Sequence, residues 1–132
     1  GAQERDESLE RTALRETEEE IGISASSINI LGSLTPLFIP ASGFRVTPFV
    51  GCCRYRVKTD VDKNEVASLH VVRVEELLNN YAVGWEKRTI RSIEVDVPFF
   101  TFDKLKVWGA TASILSECKD IFVDCYEMEK KL

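Results

Sequence analysis

Residues 1–23 read GAQERDESLERTALRETEEEIGI. The first 22 of them carry eight carboxylates: Glu4, Asp6, Glu7, Glu10, Glu16, Glu18, Glu19 and Glu20. Only Arg5, Arg11 and Arg15 oppose them, a local net charge of -5 that equals the net charge of the whole chain. The acidity is therefore local and needs a local cause. Glu7 to Ile21 has the marks of a helix. Asp6 or Ser8 can cap it, acids crowd its first turn, and Gly22 stops it. Leu14, Thr17 and Ile21 recur at helical spacing and are expected to face the core. At about 100° per residue, Glu16, Glu19 and Glu20 fall within about 100° of one another, with Glu18 pointing away. Carboxylates three and four residues apart on one helix face repel. Two readings follow: a solvated acidic face, or a cradle for a hard divalent cation such as Mg²⁺ or Mn²⁺. In the second, Arg15 holds a carboxylate in place from four residues before Glu19.

The rest of the chain narrows the class. Its 132 residues suit one domain with a real core. A hydrophobic content of 44% and a charged content of 30% are those of an ordinary globular protein. No apolar run approaches the roughly 18 residues of a membrane span, and no signal peptide opens the chain. The acidic balance argues against a nucleic-acid partner. Cys52, Cys53, Cys118 and Cys125 form no CxxC pair, and His70 is the only histidine. A zinc site is therefore not expected. Buried free thiols in a reducing compartment fit better. His70, within LHVVRV, reads as a packed strand residue rather than a catalytic base.

The element order is helix, several strands, then a final helix, hence α+β with a mixed sheet between helices. Ser27 to Leu34 reads as a strand and TPLFIPASG as a loop, because its prolines and glycine oppose pairing. Phe44 to Val57 reads as one long strand bulged near Gly51. KTDVDKN is a polar turn, Glu65 to Val74 a strand, and VEELLNN a short helix. Trp85 to Val97 alternates as a strand does, VPFFTFDKLKVW is a hairpin turning at Asp103-Lys104, and an amphipathic helix runs on from Gly109. Trp108 is expected in the core.

The spacing in residues 1–23 is Gly-x5-Glu-x7-Arg-Glu-U-x-Glu-Glu-x-Gly-U, where U is bulky and apolar. It resembles the Nudix box, with Thr17 the one soft position. The resemblance implies a single Nudix domain over residues 1–132 with its box at 1–23. Its fold is an α/β/α sandwich, and its activity is hydrolysis of nucleoside diphosphates linked to another moiety. Carried onto this chain, Glu16, Glu19 and Glu20 become the metal ligands, Arg15 orients a glutamate, Glu7 is a structural or outer-shell member, and Gly1 shapes the loop into the helix. The general base varies in position in this family. Glu65 is the candidate here, with an exposed strand-end acid the alternative.

Three later stretches, LTPLFIPASGFRVTPFVG, NEVASLHVVRVEELL and VPFFTFDKLKVWGATASIL, resemble the coenzyme A pyrophosphatase branch, which often has a proline where Arg73 stands. That resemblance implies cleavage of coenzyme A or acyl-CoA to 3′,5′-ADP and (acyl-)4′-phosphopantetheine. Phe38 and Phe44 are then candidates for pocket contact, and Gly109 and Thr111 for meeting a phosphate at a helix start. The alternatives are a Nudix hydrolase for ADP-ribose or NADH, and a non-catalytic nucleotide- or partner-binding module. The branch signature upstream of the box is not in this chain, and Nudix domains place strands before the box. The expectation is a native protein longer by about 50–80 residues, or a fold completed by a partner, for instance in a homodimer. The expected location is cytoplasmic. Lys130-Lys131-Leu132 only faintly resembles a peroxisomal ending.

Overall fold

A computed structural model describes residues 3–4, 7–79 and 83–131. The elements run α1 (Leu9–Ile21), a 3₁₀ turn (Ala25–Ser27), β1 (Ile28–Ser33), β2 (Leu37–Ile39), β3 (Phe44–Val46) and β4 (Phe49–Cys53). They continue with α2 (Val74–Leu78), β5 (Val83–Ile90), β6 (Ile93–Phe102), β7 (Leu105–Trp108) and α3 (Gly109–Lys130). The chain is α+β, as expected. The strands form three sheets, ordered β1-β4, β2-β3 and β5-β6-β7. The β1–β4, β5–β6 and β6–β7 pairs are antiparallel, so the mixed sheet of the expectation does not appear among the described residues. Two compact units emerge, one of residues 1–38 and 45–70, the other of residues 39–44 and 71–132.

In the first unit Ser8 caps α1, and Asp6, the other candidate, lies outside the described residues. The Ser8 backbone is extended and its hydroxyl accepts from the Arg11 N–H at 3.2 Å. Thr12 is the one fully buried residue of the helix, while Leu14, Thr17 and Ile21 are half-buried. Thr17 satisfies its hydroxyl by donating to the Ala13 carbonyl at 2.7 Å, so it can stand where an aliphatic is usual. Gly22 ends the helix in the left-handed region, φ +72°. Beyond it, the last turn of α1 is closed from outside the helix. The Asp60 N–H donates to the Ile21 carbonyl at 2.9 Å and the Asp62 N–H to the Glu20 carbonyl at 2.8 Å. The long strand expected over 44–57 is broken at Thr47-Pro48, since proline has no N–H for the ladder. The register shift lies between Ile30 and Gly32 of β1, not at Gly51. The strand expected from Glu65 does not form. Glu65 and Val66 donate their N–H groups to the Asp62 carbonyl in a turn, and His70 is exposed with its Nε2 2.9 Å from the Ser68 hydroxyl.

In the second unit β5, β6 and β7 form a meander. The run expected as one strand over 85–97 turns at Arg91 and Ser92, both in the left-handed region (φ 51° and 64°), the twist a tight hairpin needs. Phe100 and Phe102 point to one face and stack with centroids 5.8 Å apart. With Leu77 and Ala112 they form the core, flanked by Val83, Leu105, Val107, Leu115 and Phe122. Trp108 is 47% exposed rather than in the core, and the Arg88 guanidinium covers its ring at 4.1 Å. Residues 35–43, expected as a loop, contain β2, which pairs with β3 at the head of the run expected as a strand from Phe44. The turn between them is closed by the Gly43 N–H on the Ile39 carbonyl at 2.9 Å. The four thiols are free as expected, but Cys52 and Cys125 are exposed and the others are only partly buried. Burial raises the Cys118 thiol above its ordinary value.

A side chain at Gly22 would collide with the docked segment, its Cβ meeting Asp60 Cβ at 2.8 Å and the Asp60 backbone at 2.9 Å. Gly22→Ala is therefore expected to cost about 1–3 kcal/mol in urea denaturation. Wild-type stability in that variant would contradict the docking of Asp60 on the helix end.

Candidate active site

The site begins with the spacing on α1. Glu16 and Glu20 are four residues apart and share a face. Both are half-buried. The Asp60 and Asp62 bonds to the helix end set the path of the following turn, in which Asp62 Oδ1 also accepts from the Asn64 N–H at 2.9 Å. That turn delivers Glu65. One carboxylate oxygen each from Glu16, Glu20 and Glu65 lie within 4.8 Å of one another. Glu16 and Glu20 were expected as ligands and Glu65 as a base, and the structure brings all three together. Among the described residues neither Glu20 nor Glu65 has an ion-pair partner. Three hard oxygen donors this close, with one shared guanidinium near them, suit a divalent cation.

Glu19, expected as a third ligand from the helix, is turned elsewhere. Its carboxylate accepts from Arg15 Nη1 at 3.1 and 3.3 Å, and its side chain is 54% exposed. Arg15 is the hub. The same Nη1 reaches Glu16 Oε1 at 3.1 Å, and Nε reaches Glu7 Oε1 at 3.1 Å. Glu7 is held from several sides: Thr12 Oγ1 donates to it at 2.9 Å and the Glu4 N–H at 3.2 Å. The Gln3 side-chain amide also donates to the Glu7 carbonyl. The Arg15 guanidinium, more than the other donors, holds the Glu7 carboxyl below its ordinary value. Glu7 in turn raises the guanidinium of Arg15 further above its own. Glu7 thus anchors the Arg15 guanidinium. Thr12 escaped the reading because a threonine inside a helix carries no spacing signal. Beside Arg15 a cleft of about 430 Å³ is lined by Glu7, Arg11, Leu14, Glu18 and Glu19.

Gly1 lies outside the described residues. Phe38 and Phe44 are both exposed, on β2 and β3. In the second unit, Gly109 starts α3 with φ +69°, and Thr111 is exposed in its first turn. The helix has no side-chain cap at Trp108.

Residues 1–93 match the NUDIX domain family. A Yersinia enterocolitica protein named "Uncharacterized Nudix hydrolase NudL" is 36% identical over 114 residues, covering 86% of this chain and 58% of the relative. Proteins of the same name from Photorhabdus laumondii and Pectobacterium atrosepticum are 32% and 34% identical, each over 88% of this chain and over 62% and 60% of themselves. The chain thus spans about three-fifths of the length of these relatives.

Because the Glu7 carboxyl is depressed by Arg15, the pair stabilises the fold above the ordinary glutamate value. That contribution is lost as the pH falls through the lowered value. Glu7→Gln should therefore destabilise the protein at neutral pH, with the gap from wild type shrinking below about pH 4. Urea midpoints across pH 3–7 check this, and a gap constant with pH would contradict it.

Proposed function

The chain belongs to the Nudix family, and we propose that residues 1–132 act as part of a divalent-metal-dependent diphosphatase whose substrate is coenzyme A or an acyl derivative. The convergence of Glu16, Glu20 and Glu65 carries the reading. The coenzyme A assignment is supported by the three stretches named above, and the likeness to proteins called NudL agrees with the family. Glu16, Glu20 and Glu65 would hold Mg²⁺ or Mn²⁺, with Glu19 beside them on Arg15. The cation supplies positive charge against the diphosphate oxygens and makes water easier to deprotonate. Arg15 fixes Glu16 and Glu19 in place through one guanidinium nitrogen, Nη1. Glu65 sits on a turn and is exposed, so it can face water and accept its proton. The water oxygen bonds to phosphorus as the bridging P–O bond breaks. Water and coenzyme A thus become 3′,5′-ADP and 4′-phosphopantetheine. Phe38, Phe44, Gly109 and Thr111 remain proposed substrate contacts.

Hydrolysis of coenzyme A is expected with Mg²⁺ or Mn²⁺, to exceed that of ADP-ribose and NADH, and to stop in EDTA. Glu20→Gln and Glu65→Gln should each lower turnover by about 10²-fold or more while leaving the urea midpoint close to wild type. ADP-ribose cleaved faster than coenzyme A would overturn the substrate. Full turnover in both variants would overturn the site.

A further inference from the structure

A second cleft, of about 530 Å³, lies in the same unit as the carboxylates and has the opposite charge. Its walls carry Arg54, Arg56 and Lys58 with Tyr55, and opposite them in sequence Ser24 and Ser26. Among the described residues no carboxylate lines it. Among the described residues, none of the three cations has a side-chain ion pair or hydrogen bond. Glu18, six residues before Ser24, is spent elsewhere: its carboxylate accepts from the Ala25 N–H at 3.1 Å and lines the other cleft. Three unpaired cations in one concavity repel one another, and an anion relieves that as a cation would relieve Glu16, Glu20 and Glu65. The volume is that of a small-molecule site.

The cleft is also tied by the chain to the carboxylates. One wall begins at Gly22, two residues after Glu20. The other ends at Lys58, two residues before Asp60, whose N–H is bonded to the Ile21 carbonyl. The segments that bring Glu20 and Glu65 together are therefore the ones that bound this cleft.

We propose that the Arg54–Arg56–Lys58 cleft is a subsite for a phosphomonoester dianion carried by the substrate, separate from the diphosphate that is cut. It rests on the diphosphatase reading only for the identity of that substrate. In coenzyme A the group would be the 3′-phosphate of the ribose, which ADP-ribose, NADH and 3′-dephospho-coenzyme A lack. Guanidinium forks suit a phosphate dianion, one hydroxyl of the Ser24–Ser26 pair (2.9 Å apart and bonded to each other) is left to donate to it, and the exposed Tyr55 ring offers a face to the attached base. The subsite would favour substrates with three phosphates over those with two.

The test is binding to the full chain in EDTA, read by calorimetry with 3′,5′-ADP and 5′-AMP as probes. The wild type should bind 3′,5′-ADP about 10-fold or more tighter than 5′-AMP, and Arg54→Ala/Arg56→Ala should bring the ratio near one. Lys58→Ala, a milder change, should reduce it partway. With metal, the double variant should raise KM for coenzyme A several-fold more than KM for 3′-dephospho-coenzyme A. Equal binding of the two probes to the wild type would overturn the subsite. So would a ratio that survives in the folded double variant, or an equal rise in both KM values. If no diphosphate is hydrolysed but the probe ratio and its loss are seen, the subsite stands and the reaction falls. If coenzyme A is hydrolysed and the ratio is one, the reaction stands and the subsite falls.

Discussion

Two backbone hydrogen bonds hold the candidate site together. A helix end leaves carbonyls without partners. Here the Asp62 N–H meets the Glu20 carbonyl and the Asp60 N–H meets the Ile21 carbonyl. These bonds finish the helix, and they also fix a segment that starts some forty residues later in the chain. Gly22 makes this possible, because its left-handed backbone turns the chain away and its missing side chain leaves room for Asp60. Glu65 follows three residues after Asp62, inside a turn closed on the Asp62 carbonyl. The position of a carboxylate in the chemistry is thus set by how a helix satisfies its last carbonyls.

Arg15 does a second job by dividing the acids. It binds Glu7 and Glu19 and touches Glu16, and it leaves Glu20 and Glu65 to face each other. Without it, the acids of α1 would repel along the whole face. With it, the repulsion is concentrated in one spot that a divalent cation suits. Surface ion pairs contribute little stability singly. The value of this network is geometric, since one forked guanidinium sets the rotamers of three carboxylates at once.

Much of this was legible in the sequence. The spacing of Arg15, Glu16, Glu19, Glu20 and Gly22 identified the helix, its end and its family. Glu65 was singled out, but as the head of a strand, because EVASLHVV is rich in apolar and β-branched residues. What decided its conformation was the Asx turn at Asp62 and Asn64, a local bond that hydrophobic pattern does not register. Arg91-Ser92 hid for a related reason, since two non-glycine residues take the left-handed region where no turn marker stands. The division between Glu19 and Glu20 was legible only in the four-residue spacing that offers Glu19 to Arg15. Both lie on one helix face, and only the reach of the Arg15 side chain separates them. The cationic cleft was missed because its walls come from residues 22–27 and 54–58, which sequence does not place together.

On this geometry Glu65, reaching the helix by way of its capped end, would complete a cation site with Glu16 and Glu20. Manganese binding followed by electron paramagnetic resonance tests it without reference to any substrate. Wild type is expected to bind Mn²⁺, with Glu65→Gln weakening binding about as much as Glu20→Gln and Glu19→Gln weakening it less. Binding that is lost with Glu19→Gln and untouched by Glu65→Gln would contradict it.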